Sequence, residues 1–449
     1  MPNSILLMET LNKKYGFWTA TAMVVGIVIG SGVFFKADDV LIASGGRLPV
    51  ALLAWLIGGS IMIVTSFVFA GIATKIEKVN GVVDYFEEAY GAGAAYLVAW
   101  FFTFIYYPSL VAVLSWVSAN YSAGLIGIPG SVIPLSFIFL ILFFILNTAS
   151  PVLAGKWQVS TTMIKLVPLG FIAVVGIISG LISGQTIESF TKSAKMISGD
   201  GGGLAVATLS TAFAYEGWII ATTINAELKD SKKTLPKALV LGALAVVAVY
   251  MLYYLGISGT LSNEEVIAAG DEAPVHVISL IFGNLAGTIL TVFVVISCLG
   301  TLNGLVMGSA RGMFSMAARG RGPSPAFFGR VNPKTNSTTN SAIIGFICSV
   351  IWLIVWHGNF AGWWGGFIDI SELPIAILYV IYISIYIWVI RTHKDSSVFS
   401  RFIAPILAGT GSLYIISGAV KKDMFFSFMI IFILIMIVSL FFIREKKGQ

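Results

Sequence analysis

The sequence predicts an all-α polytopic membrane protein of twelve transmembrane helices, and three observations predict it. Of the 449 residues, 57% are hydrophobic and only 11% charged, with mean hydropathy +0.93, whereas soluble domains carry about 25% charge. Apolar runs of about 20 residues, long enough to cross a bilayer as helix, recur along the whole chain. The first and the sixth of these runs are interrupted by glycine in their middles, at Gly30-Ser31-Gly32 and at Glu216-Gly217.

The runs fall in order at 16–36, 48–74, 92–121, 131–150, 159–183, 204–228, 235–258, 281–310, 341–358, 364–390, 401–420 and 424–443. Span 1 follows Lys13 and Lys14, as a signal peptide would. It continues through Gly30-Ser31-Gly32 without a small-residue cleavage pattern, and further spans follow, so it reads as a retained helix. Residues 1–449 form a single transmembrane domain. Spans 1–5 (16–183) and 6–10 (204–390) read as two repeats, because their first helices break at equivalent places. Spans 11 and 12 (401–443) lack internal charge and read as two additional helices.

Most of the 27 Lys and Arg lie in segments that are cytoplasmic if both termini are inside, which satisfies the positive-inside rule with an even number of spans. The net charge of +6 therefore reads as topology and not as a nucleic-acid footprint. Cys298 and Cys348 sit in apolar runs, the three histidines are scattered, and no metal-ligand spacing exists. With no nucleophile–base constellation either, an enzyme is not expected, and no cofactor is called for.

The chemistry lies in the breaks. Interrupted helices are tolerated at membrane depth only when buried in protein or lining a cavity, and a matched pair points to a transporter substrate site. A second half-helix starting near Ser31 would present unpaired, partially positive amides to an anion. No Arg lies in a span core, so backbone at Gly30, Ser31 and Gly32 is the expected carboxylate ligand. Tight packing through small residues is the competing reading, and the matching break in span 6 weighs against it. Carbonyls freed near Phe213 and Ala214 would accept from an ammonium group, so a zwitterionic amino acid fits the pair. Glu216 is expensive at that depth, and three roles stay open for it: taking a proton, capping the second half-helix, or facing water. Lys165 in span 5 costs roughly 2.5–3.5 kcal/mol on insertion scales. It reads as a cation occupying the place of a coupling Na⁺, with snorkelling as the competing reading. Phe213, next to the break, reads as a gate. Tyr250, Ser297 and Asn303, each taken alone, read as interhelical hydrogen bonds, and Asp84, Glu87 and Glu88 as a solvated face.

GIVIGSGVFF in span 1, FAYEGW with NAELKDSKKTLPKAL after it, VAVY in span 7 and SCLGTLNGLVMGSAR in span 8 together resemble the amino acid–polyamine–organocation (APC) superfamily. The match is to its L-type amino acid transporter branch, and within it to bacterial alanine-serine-cysteine or serine/threonine exchangers. The resemblance implies a LeuT-like fold of five-plus-five inverted repeats with broken helices 1 and 6. It implies carboxylate binding at Gly30, Ser31 and Gly32, and ammonium binding by carbonyls of Val28, Phe213 and Glu216, with Phe213 gating. It implies Lys165 in the sodium position with Gly26 and Ser297 as partners and Tyr250 near the same network. Animal relatives often carry Gly where this chain has Glu216. The loop at 120–131 lacks the Cys that joins their glycoprotein partner, so no disulfide-linked heavy-chain subunit is expected. The expectation is Na⁺-independent exchange of small neutral L-amino acids (Ala, Ser, Cys, Gly) by alternating access across the plasma membrane, with the lipid bilayer as the other partner. A proton-coupled symporter using Glu216 or Lys165, and an amino-acid sensor without transport, are the rival readings.

Overall fold

The computed structural model describes residues 16–30, 32–76, 81–195, 201–219, 228 and 230–443. Span 1 is a helix Phe17–Val28, a break, and an outer half built from Gly32–Phe35 and Ala37–Ala43. Span 2 is Leu48–Ala73, span 3 Ala92–Ile126, span 4 Val132–Ala149 and span 5 Pro151–Ser183. Span 6 is described as Leu204–Tyr215 followed by its break; its second half, like Ser31, lies outside the described residues. Spans 7 to 12 are Ser231–Thr260, Asn284–Ser309, Thr339–Phe360, Leu373–Thr392, Ala404–Ala419 and Phe425–Leu440. Nine helices are long and apolar enough to cross a membrane, and three shorter apolar helices (in spans 1, 6 and 12) complete the set among the described residues. No strand is formed among the described residues, where extended pairing occurs as isolated bridges such as Asn332 with Ser337. The chain is thus an all-α polytopic membrane protein.

Local chemistry explains the boundaries. The Ser150 side chain accepts from Leu153 N–H and Pro151 fills the first helical turn, so span 5 starts earlier than its apolar run at 159. Span 3 contains a π-helical stretch, Phe102–Tyr106, just before Pro108. Proline has no N–H to return to the preceding turn, and the widened turn absorbs the missing bond. Span 10 corrects the sequence reading: residues 363–372 are not helix. Gly362 and Gly365 adopt φ of 71° and 70°, and Asp369 takes hydrogen bonds from the Ser371 and Glu372 amides, capping a helix that starts at Leu373. The solvated-face reading of Asp84 also fails. Asp84 is buried, and Arg319 from the loop after span 8 pairs with both Asp84 and Glu87.

Leu, Ile and Val on spans 4, 5, 9 and 12 face outward at helical spacing: Ile138, Ile141 and Ile145 on span 4, and Val174, Ile178 and Leu181 on span 5. Spans 3, 6 and 10 are largely buried. Spans 5 and 7 approach backbone to backbone. A Cβ added at Gly176 would lie 2.1 Å from Gly256 O, and one at Gly180 would lie 2.4 Å from Gly259 Cα.

Gly176→Val is therefore expected to lower the thermal unfolding temperature of the detergent-purified protein, with an overpacking cost of about 1–3 kcal/mol. Gly170→Ala on the same helix, where nothing lies within 4 Å, should match wild type. Equal melting of all three proteins would remove the close crossing.

Candidate functional site

Span 1 stops helically at Val28. Ile29 is extended (ψ 106°), with its N–H still bound to Val25 O, and the helix resumes at Gly32. Span 6 stops at Tyr215. Glu216 is extended (ψ 160°), its N–H bonds to Phe213 O at 3.3 Å, and Gly217 takes φ 106°. The two breaks face each other. A Cβ on Gly32 would meet Ala214 Cα at 2.5 Å, and one on Gly30 would meet Thr301 Oγ1 of span 8 at 2.4 Å. Only glycine permits both approaches. One cavity is lined by Val28, Gly30, Gly32, Phe213, Ala214, Glu216 and Gly217, with Tyr106, Gln158 and Thr301 from spans 3, 5 and 8.

Two buried side chains hold the breaks. The Tyr250 hydroxyl of span 7 lies 3.1 Å from Val28 O and 3.1 Å from Ala214 O, one freed carbonyl at each break. Trp55 of span 2 packs on Tyr250 and Tyr215, and the Tyr215 hydroxyl donates to Trp55 O at 3.0 Å. Lys165 is fully buried, and its Nζ donates to Gly26 O at 3.4 Å and Thr301 Oγ1 at 3.3 Å; the Thr301 hydroxyl in turn donates to Ser297 O at 3.1 Å. Gly300 leaves room for the lysine stem, since a Cβ there would sit 3.0 Å from Lys165 Cε. The Lys165 ammonium is thus directed into the protein, at span 1 and span 8, and not along span 5 toward its near end.

The site is covered at the end of the bundle away from the start of span 1. The Phe213 ring meets Phe35 edge-on at 5.7 Å, and Lys36 Nζ lies 5.7 Å from its centroid. Lys36, the last residue of the first apolar run, is buried. It pairs with Asp39 at 2.7 Å and Glu372 at 2.9 Å, while Lys422 bridges Glu372 at 2.7 Å and Asp369 at 3.2 Å. Burial alone would raise the Asp369 pKa, but Lys36, Lys422 and the Ser371 hydroxyl outweigh it and hold the carboxyl well below its ordinary 3.8.

The predicted site residues divide as follows. Gly30, Gly32, Val28, Phe213 and Glu216 line one cavity; Ser31 lies outside the described residues. Lys165 bonds to the Gly26 carbonyl, but its hydroxyl partner is Thr301, one helical turn beyond Ser297, whose own hydroxyl is buried without a hydrogen bond. Tyr250 bridges the two breaks instead of joining the lysine. Asn303 makes interhelical bonds to Asn147, Ala154 O and Gln158. Thr301, Tyr106 and Gln158 carried no signal in the sequence, since single polar residues in apolar helices look alike until their neighbours are known.

Two helix breaks that face each other around a shared cavity, within a bundle of apolar helices, define a broken-helix membrane carrier. Residues 15–448 match the family model described as amino acid permease. The chain belongs to that family, which is one of transporters, not enzymes. It is 30% identical to the serine/threonine exchanger SteT of Bacillus subtilis over 92% of both chains. It is 30% identical to the Asc-type amino acid transporter 1 of Mus musculus and 29% identical to the large neutral amino acids transporter small subunit 2 of Homo sapiens. Those two matches span 70% of this chain and 60% and 59% of theirs.

Two expectations follow from the contacts. Tyr250→Phe leaves both freed carbonyls without the phenol and should cost about 1–3 kcal/mol of stability, read as a lower melting temperature; an unchanged melt would deny the bridge its role. Asp369 contributes stability that is present above its unfolded pKa near 3.8 and lost as pH falls below it. Acid melting curves of wild type and Asp369→Asn should therefore converge at low pH, and a constant gap down to low pH would refute the linkage.

Proposed function

We propose that the chain is a Na⁺-independent exchanger of small neutral L-amino acids working by alternating access. The observation that carries this reading is that both helix breaks open onto one cavity, lined by Val28, Gly30 and Gly32 of span 1 and Phe213 and Glu216 of span 6; in this reading amides at Gly30, Ser31 and Gly32 take the substrate carboxylate and carbonyls of Val28, Phe213 and Glu216 its ammonium. Binding the α-groups through backbone explains how side-chain size could be set by the cavity walls alone. The buried Lys165 ammonium between Gly26 O and Thr301 supports Na⁺-independence, because a fixed cation there leaves no charge for a sodium ion to supply. The names of the relatives, a serine/threonine exchanger and an Asc-type transporter, support small neutral substrates.

In this reading residues 16–183 and 204–390 are two inverted repeats, with 401–443 appended. Phe213 is the gate, both termini are cytoplasmic, and the protein sits in the plasma membrane without a disulfide-linked heavy chain. Substrate spanning the two breaks would draw the half-helices of spans 1 and 6 together and rock them against the remaining spans.

The test is uptake of radiolabelled L-alanine and L-serine into proteoliposomes. Uptake is expected into vesicles preloaded with unlabelled amino acid, not into empty ones, with equal rates when Na⁺ is replaced by choline. Accumulation in empty vesicles under a pH gradient would replace exchange by proton coupling. Gly32→Val, whose side chain must enter the Ala214 backbone, should reduce flux to background while the protein still inserts, and normal flux would remove the carboxylate site. Lys165→Met should slow turnover or introduce Na⁺ dependence; wild-type kinetics without Na⁺ would show that the ammonium does not stand in for sodium.

A further inference from the structure

Glu216 brings to the cavity a carboxylate for which exchange of neutral amino acids has no use. The residue is about nine-tenths buried and lines the cavity, and neither carboxylate oxygen has a hydrogen-bond partner of good geometry. No Lys or Arg among the described residues stands against it; its charged-form neighbours are the Gly217 amide and the Tyr106 hydroxyl. Lys165 is committed to Gly26 and Thr301.

Aromatic rings share the cavity with Glu216: Tyr106, which ends the π-helical stretch of span 3, and Phe213. A lone carboxylate beside aromatic rings suits a compact cation: the carboxylate supplies charge and the rings supply their negative quadrupole. A hydroxyl or methyl group would leave the charge uncompensated, which is costly at this depth.

The reach of the group is short. Glu216 is the residue at which span 6 turns, its own N–H held by Phe213 O, and the carbonyls of that turn are the proposed ammonium ligands. Its carboxylate therefore lies two methylenes from the backbone that would hold the substrate's α-nitrogen. The remaining cavity wall is apolar: Leu110, Leu114, Leu305 and Ile375.

We propose that Glu216, with the Tyr106 ring beside it in the cavity, forms a side-chain subsite that takes amino acids whose side chain ends in an ammonium one or two methylenes beyond the α-carbon, as well as small neutral ones. This rests on the amino-acid reading of the cavity and extends its substrate class to short diamino acids. Longer basic side chains would overrun the carboxylate, and an aliphatic isostere of the same length would leave it unpaired.

The experiment is ligand-dependent thermal stabilisation of the purified full chain by L-2,4-diaminobutyrate, its uncharged isostere L-norvaline, and L-alanine. In wild type the diamino acid should reach half-maximal stabilisation at about tenfold lower concentration than norvaline, the size of one charge-assisted hydrogen bond. In Glu216→Gln that ratio should fall to near one. A wild-type ratio near one overturns the subsite, without needing the variant to fold, and so does a ratio that survives in a folded Glu216→Gln. Counterflow of L-alanine, measured in parallel, separates the two ideas. Loss of counterflow with the binding ratio intact sinks exchange and leaves the subsite standing, whereas intact counterflow without a preference sinks the subsite alone.

Discussion

The structure depends on a constraint of solvent. Hydrocarbon offers no hydrogen bonds, so a helix that breaks halfway across the membrane must find partners for its freed amides and carbonyls within the protein. Span 1 and span 6 break at facing positions, and the Tyr250 hydroxyl lies 3.1 Å from a freed carbonyl of each. A hydroxyl has one proton, so it satisfies one of the two carbonyls at a time. The scaffold thereby holds the breaks in register without saturating them. Full satisfaction by side chains would have produced a tight, inert core.

The charges follow from the same constraint. Glu216 apart, the buried ion pairs and Lys165 either serve the breaks or close an end. Lys165 neutralises the carbonyl end of the first half of span 1, where the helix dipole is negative. Lys36, Glu372, Lys422 and Asp369 tie the outer half of span 1 to the start of span 10 and to the turn before span 12. Arg319 does the corresponding job at the opposite end through Asp84 and Glu87. Because a buried pair is weak evidence of stability but costly to break one partner at a time, these clusters are better understood as fixing which elements meet.

How much of this was legible in the sequence follows from the range of each signal. Twelve apolar runs, both breaks and Lys165 are local patterns, and each was readable from a window of about twenty residues. The start of span 10 was misplaced because Phe367, Ile368 and Ile370 look apolar, while the Gly362 and Gly365 conformations and the Asp369 cap that end helical continuity are decided by three-dimensional context. The pairing of Lys36 with Glu372 leaves no local signal, because the two lie hundreds of residues apart. Thr301 was missed for a subtler reason. Ser297 and Thr301 are one turn apart on the same face, and only the height of Lys165 chooses between them. Asp84 went wrong in the opposite sense: acidic residues in a short connecting helix ordinarily face water, and only a distant arginine turns them inward.

The backbone-to-backbone crossing of spans 5 and 7 has a mechanical consequence. Span 5 carries Lys165 and span 7 carries Tyr250, so the two side chains that grip the broken helices are mounted on one stiff bracket. Gly176 against Gly256 and Gly180 against Gly259 leave no side-chain layer between the helices to act as a compliant gasket. Any strain placed on the lysine must therefore register at the tyrosine. The first half of span 1 is thus held from one rigid pair of helices, and a displacement of that pair would carry both grips with it.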